Sequence, residues 1–131
     1  MDGADETMAA RILDLNDARV FLCPSDGPLV VGDRATSDLI GEAFGAGATI
    51  IAIPVTRLGP DFLKLSTRIA GEMLQKLINY RFQVAILGDI EAAVADSDAL
   101  RDFVRESNQG RMVWFLPDLA ALEAKLAMNG R

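Results

Sequence analysis

Apolar positions along the chain change their spacing several times, and each change marks an element. Arg11–Leu15 and Arg19–Cys23 alternate or run apolar around Asn16-Asp17, which predicts two strands joined by a tight turn. Pro24-Ser25-Asp26-Gly27-Pro28 is loop by composition, and Leu29–Val31 can add a short strand or edge segment. Leu39, Ile40, Ala43 and Phe44 follow at helical spacing, with Thr36, Ser37 and Asp38 as capping candidates and Gly45 and Gly47 as the stop. Thr49–Pro54 is a continuous apolar run between turn signals, as expected of a buried strand.

The same alternation continues to the end. A connector, Val55 to Leu65, holds Gly59-Pro60 and room for a helical turn at Asp61–Leu65. A helix is predicted to start near Ser66 or Thr67, with Ile69, Ala70, Met73, Leu74, Leu77, Ile78 and Tyr80 as its apolar stripe. Gln83–Gly88 and Met112–Leu116 read as further buried strands. Between them Ser97 precedes a helix carrying Leu100, Phe103 and Val104, stopped by Asn108-Gln109-Gly110. Asp118 opens a last helix with Leu119, Leu122 and Leu126 inward. The order β-β-α-β-α-β-α-β-α, with short loops, predicts an α/β fold: a single-layer mixed sheet of four to five strands, parallel after an opening hairpin. Residues 1–9 are expected to form a flexible acidic tail, and residues 10–131 a single α/β domain, a size at which a core can form without cross-links.

Charge and composition narrow the function classes. The chain carries a net charge of −6, and its basic residues are scattered. A nucleic-acid binder needs a basic stripe to neutralise phosphates, so no nucleic-acid partner is expected. The longest apolar run, Ala48 to Val55, is far too short to cross a bilayer, and Met1 to Met8 lacks the features of a secretion signal. The expected location is the cytoplasm. Histidine is absent and Cys23 is the one cysteine, which excludes a Cys/His or Ser/His/Asp nucleophile system and the usual zinc sets within one chain. Gly45-Ala46-Gly47 precedes a strand instead of following one, so it fails the context of a dinucleotide loop. No cofactor or metal is expected.

Two resemblances are carried by particular residues. The element order, with Phe62-Leu63 and Ser66-Thr67 leading into a helix that ends before Gln83–Gly88, resembles the STAS/SpoIIAA-like fold of bacterial anti-sigma factor antagonists. In that group a phosphorylatable Ser stands at the start of a helix after a strand, and Ser66 or Thr67 would occupy that place. The antagonists' Asp-Ser-Ser-Gly pattern is absent, because the stretch reads Lys64-Leu65-Ser66-Thr67-Arg68. At sequence level Asp61-Phe62-Leu63-Lys64-Leu65, Ala70–Lys76, Asn79-Tyr80 and Glu106–Arg111 resemble a bacterial domain-of-unknown-function family numbered 4180. That resemblance implies a small bacterial domain and brings no activity with it.

The candidate site is the helix from Ser66 to Tyr80. Glu72 and Lys76 have the spacing of a favourable i,i+4 ion pair, and Gln75 and Asn79 share that spacing. These four form either a solvated face or a recognition face. Gly71 favours recognition, since glycine inside a helix is unfavourable by up to about 1 kcal/mol relative to alanine and suggests close approach by another group. Ser66 and Thr67 are helix caps, phosphorylation sites between Lys64 and Arg68, or donors of an anion site. Asp89 and Glu91, with Asp96, follow a strand and offer carboxylates for acid–base work or Mg²⁺. The expected function is a non-enzymatic regulatory or protein-interaction module with a protein partner. The alternative is a domain that binds a small anionic metabolite, with weak enzymatic activity as an option, and self-assembly into a homo-oligomer is a third reading.

Overall fold

The computed structural model describes residues 10–129. The tail expected at residues 1–9 lies outside them. Two antiparallel strands, β1 (Arg11–Leu15) and β2 (Ala18–Leu22), meet at Asn16 and Asp17, both with positive φ (49° and 71°). That geometry suits a two-residue hairpin turn, whose twist matches the strands. β3 (Ile50–Pro54), β4 (Gln83–Leu87) and β5 (Val113–Leu116) then add in parallel, giving one mixed sheet in the order β1-β2-β3-β4-β5.

The helices among the described residues are α1 (Asp33–Gly45), α2 (Ile69–Asn79), α3 (Glu91–Ala95), α4 (Asp98–Gln109) and α5 (Leu119–Asn129). Their distribution is lopsided. Phe21, Ile51, Ile53, Val84, Ile86, Val113 and Phe115 point to one face, where Leu39, Ile40 and Ala43 of α1, Ala70, Met73, Leu74 and Leu77 of α2, and Phe103 of α4 pack on them. The alternate residues, Val20, Ile50, Ala52, Ala85, Leu87 and Trp114, point to the other face, where Leu122 and Leu126 of α5 cover them. A strand order that follows the chain sends successive crossovers of one hand to one side of the sheet. Among these helices α5, which follows the last strand, takes the opposite side.

Local chemistry sets several boundaries differently from expectation. α1 starts at Asp33, ahead of the three capping candidates, because Gly32 takes φ 99° at the N-cap. Thr36 is buried inside the first turns, and its Oγ1 donates to Val30 O at 3.1 Å. Leu29–Val31 forms no strand; Val30 N donates instead to Arg57 O at 2.8 Å. The connector after β3 holds two 3-10 turns, Val55–Arg57 and Leu65–Thr67, and α2 begins only at Ile69. The short alanine-rich α3 was not expected. Ser97 and Asp118 do cap: Ser97 Oγ accepts from Leu100 N at 3.1 Å, and Asp118 Oδ1 accepts from Ala121 N at 2.9 Å.

Arg57 fixes the loop after β2. Its Nε donates to Pro28 O at 2.6 Å, and its Nη1 donates to Pro24 O at 2.8 Å and Asp26 O at 3.3 Å. Gly27 lies flat on the guanidinium at φ 135°, and a Cβ there would stand 3.1 Å from Arg57 Cζ. Beside it Cys23 is buried, and burial pushes its thiol up to about 11.

Candidate functional site

The turn before α2 is held by Thr67. Its hydroxyl donates toward Lys64 O (2.7 Å) and Asp61 O (3.0 Å), and the same oxygen accepts from Ile69 N at 3.3 Å. Thr67 N and Arg68 N donate to Lys64 O and Leu65 O, so of the Ser66 and Thr67 amides expected to cradle an anion, that of Thr67 is engaged by the turn itself. Arg68 takes φ 66° at the N-cap, which swings the chain from the turn into the helix. Ser66 is exposed on the turn, and Lys64 pairs with Asp61 at 3.5 Å.

Along α2 the expected polar set divides between two grooves. Lys76 does not pair with Glu72. Its Nζ reaches α1, where it donates to Asp33 Oδ1 at 2.7 Å, Asp33 O at 3.3 Å and Ser37 Oγ at 2.6 Å. The partners are 43 and 39 residues away in the chain, so the sequence spacing favoured the wrong acid. The Lys76 hydrogen bond and charge hold the Asp33 carboxyl below its ordinary range. Glu72 and Lys76 thus border a cleft of about 140 Å³ against Asp33 and Thr36.

Gln75 lies on the other side of the helix. Its Nε2 donates to Asn79 Oδ1 at 2.9 Å, as their spacing suggested. Together with Gly71, Leu74 and Ile78 it borders a groove of about 340 Å³, whose far wall is Phe103 and Ser107 of α4 with Met112 before β5. Gly71 is exposed, and a Cβ placed on it would meet nothing within 4 Å. Close approach by another of the described residues is therefore not why glycine stands there. Tyr80, expected in the apolar stripe, lies just past the helix and is 58% exposed.

The carboxylates after β4 sit at a different place. β4 leads to α3 and α4 on one face of the sheet, whereas β5 leads to α5 on the other. Adjacent parallel strands whose connections part in this way leave a crevice at their C-terminal ends. A cavity of about 640 Å³ occupies it, lined by Gly88, Asp89, Ile90, Glu91, Phe115 and Pro117 among others. Asp89 Oδ1 accepts from Glu91 N at 3.0 Å, a local turn contact. No group of three or more acid, thiol or imidazole side chains that could hold a metal occurs among the described residues.

In the sequence Asn108 stands out only as part of a helix stop. Its carboxamide bonds both backbone groups of Phe115 on β5, and its own carbonyl accepts from Lys125 Nζ at 3.1 Å. Lys125 lies 4.9 Å over the Trp114 ring, and Trp114 Nε1 donates to Gly110 O at 2.9 Å. The Asn108-Gln109-Gly110 stretch is thus joined to β5 and α5 by side-chain bonds. An Asn in the last turn of a helix just before an edge strand was the available signal.

No helix among the described residues is long and apolar enough to cross a membrane. No curated protein and no solved structure matches the chain. One family model does, over residues 15–126, from the last residue of β1 into α5, taking in the α2 face, both grooves and the Asn108 network. The chain belongs to the family described as Domain of unknown function (DUF4180).

Proposed function

We propose that this protein is a non-enzymatic protein-interaction module of the bacterial cytoplasm, and that its partner docks on the α2–α4 groove. The observation that carries the reading is Gly71. Gly71 is the third residue of α2, exposed, where glycine is unfavourable by up to about 1 kcal/mol relative to alanine, and no contact among the described residues offsets that cost. A partner that comes close to the helix backbone at this point supplies the missing reason. The groove beside it offers apolar anchors, Leu74, Ile78, Phe103 and a Met112 that is 42% exposed, with the Gln75 amide and Ser107 as polar contacts. Apolar anchors within a polar rim are the usual composition of a docking surface.

The STAS-like reading is part of this proposal. The order of elements supports it, and so does the position of Ser66 on an exposed turn between the C-terminal end of β3 and α2. A phosphate on Ser66 would stand beside Lys64 and Arg68 and alter the charge at the head of α2, which makes modification a means of switching the partner on or off. Of the two amides on which the anionic-metabolite alternative rests, Ser66 and Thr67, the second is engaged by Lys64 O, which leaves that alternative with less support at this turn.

Capture of tagged protein from its native host, with mass spectrometry of bound chains and phosphosites, tests the reading. A stoichiometric partner should be retained by the wild type and lost on Gly71→Leu or Gln75→Arg, with folding checked by circular dichroism. Retention of every bound protein by both variants would overturn the assignment of the groove.

A further inference from the structure

We infer that the cavity between the Cys23–Val30 loop and α1 binds a small zwitterion with an apolar body, the chemistry of a free apolar amino acid. The cavity measures about 420 Å³, within the range of small-molecule pockets, and lies at the C-terminal end of β2, on the opposite side of α1 from the Lys76 clamp. Its site and its ligand are independent of the docking groove.

Three features of its walls lead to this ligand. The first is Arg57, only 9% exposed and without an ion pair among the described residues. Its three recorded bonds go to backbone carbonyls, which satisfy hydrogens but bring no opposite charge, and its Nη2 donates to no acceptor among the described residues. A buried cation of this kind ordinarily has an anionic partner. Because the loop clamps Nε and Nη1, the remaining donors are fixed in place, as suits binding of a carboxylate.

The second feature is Asp38 and Glu42, one turn apart on α1 and lining the same cavity. Both are exposed and form no salt bridge among the described residues. They repel a simple anion, just as Arg57 repels a simple cation. Cys23 lies within reach of both signs: Arg57 draws its thiol down and Glu42 raises it, against the larger effect of burial. The third feature is the apolar surface between the charges, from Phe21, Val30 and Leu39. A ligand with a carboxylate for Arg57, an ammonium for Asp38 and Glu42, and a hydrocarbon side chain matches all three walls.

Calorimetric titration of the full chain decides the matter with three probes on one carbon frame: L-phenylalanine, 3-phenylpropanoate and 2-phenylethylamine. The L-leucine series (4-methylpentanoate, 3-methylbutylamine) runs in parallel. In at least one series the amino acid should bind at least about tenfold more tightly than either half-molecule, a difference of about 1.4 kcal/mol. In Asp38→Asn/Glu42→Gln, whose changes are on the helix surface, that preference over the carboxylate should vanish. Arg57→Met should abolish binding, and the helix variant keeps the test decisive if that protein fails to fold. Absence of binding by both amino acids at millimolar concentration, a half-molecule that binds as tightly as its amino acid in both series, or an unchanged preference in the helix variant would each overturn the site.

Discussion

Asn108 stands in for a neighbouring strand beside Phe115: its Oδ1 accepts the Phe115 amide at 2.7 Å and its Nδ2 donates to the Phe115 carbonyl at 3.2 Å. β5 is an edge of the sheet, and an edge with free amides and carbonyls invites another chain to pair with it. One carboxamide closes the middle of this edge.

Replacing Asn108 by leucine should therefore do two things. The Phe115 groups lose their partners, at a cost of about 1–3 kcal/mol in a urea unfolding curve. The opened edge should also raise the tendency to self-associate, read by light scattering as a concentration-dependent rise in mass. Asn108→Asp retains the acceptor for the amide and loses the donor, so its unfolding midpoint should fall between those of Asn108→Leu and the wild type.

Two glycines should respond oppositely to alanine. At Gly71 the new Cβ meets open space, and the helix gains about 0.5–1 kcal/mol of stability. At Gly27 the backbone has φ 135° and the Cβ would press on the Arg57 guanidinium, so the same change should cost about 1–3 kcal/mol. Paired thermal unfolding of the two variants checks the sign at each.

Lys76 should reveal itself through Asp33. In the wild type the Asp33 carboxyl titrates below its ordinary range, because the Lys76 ammonium donates to it. Its ionised form is favoured in the folded state, so the resulting stability is present at neutral pH and is lost as pH falls through the folded-state value. Lys76→Met should move the Asp33 titration upward, measured by NMR on the carboxyl carbon, and flatten the acid limb of the stability profile.

Cys23 acts in the opposite pH range. Burial raises its thiol from 9.0 to about 11, so the folded chain holds a proton that the unfolded chain has released. That contribution is intact below pH 9 and declines as pH rises through the folded-state value, reaching roughly 2–3 kcal/mol. Wild type minus Cys23→Val, compared by urea unfolding from pH 8 to 11, isolates it. The thiol should also resist a thiol-specific reagent until the protein unfolds.

What the sequence made legible follows the reach of each interaction. The three parallel strands and their helices stand out because burial on both faces of a sheet demands unbroken apolar runs. Ser97 and Asp118 were identifiable as caps because a cap and its target amide lie three residues apart. Thr36 and Lys76 were misread for the converse reason. Thr36 looked like a cap, yet its hydroxyl serves Val30 O, and Lys76 looked like the partner of Glu72, yet it serves α1. Gln75 and Asn79 pair as their spacing suggested, but the sequence could not show that Gln75 lines a different groove from Glu72 and Lys76. Asn108 and Arg57 act on backbone groups that carry no side-chain signature, and α3, five residues of which three are alanine, is too short to show an apolar stripe.

The strand order also bears on how the molecule assembles. Each strand bonds only to those next to it in the chain, so pairs such as Val20 with Ile50, Ile50 with Gln83, and Val84 with Val113 close segments of similar, modest length, roughly thirty residues. No strand has to wait for a distant part of the chain before it can pair. A sheet of this kind grows by accretion, one strand and its covering helix at a time, and its folding should be quick for a protein with so many parallel contacts. Its weak points in time are then the two ends of the growing sheet, β1 and β5, and at the β5 end closure is the moment when Asn108 meets Phe115.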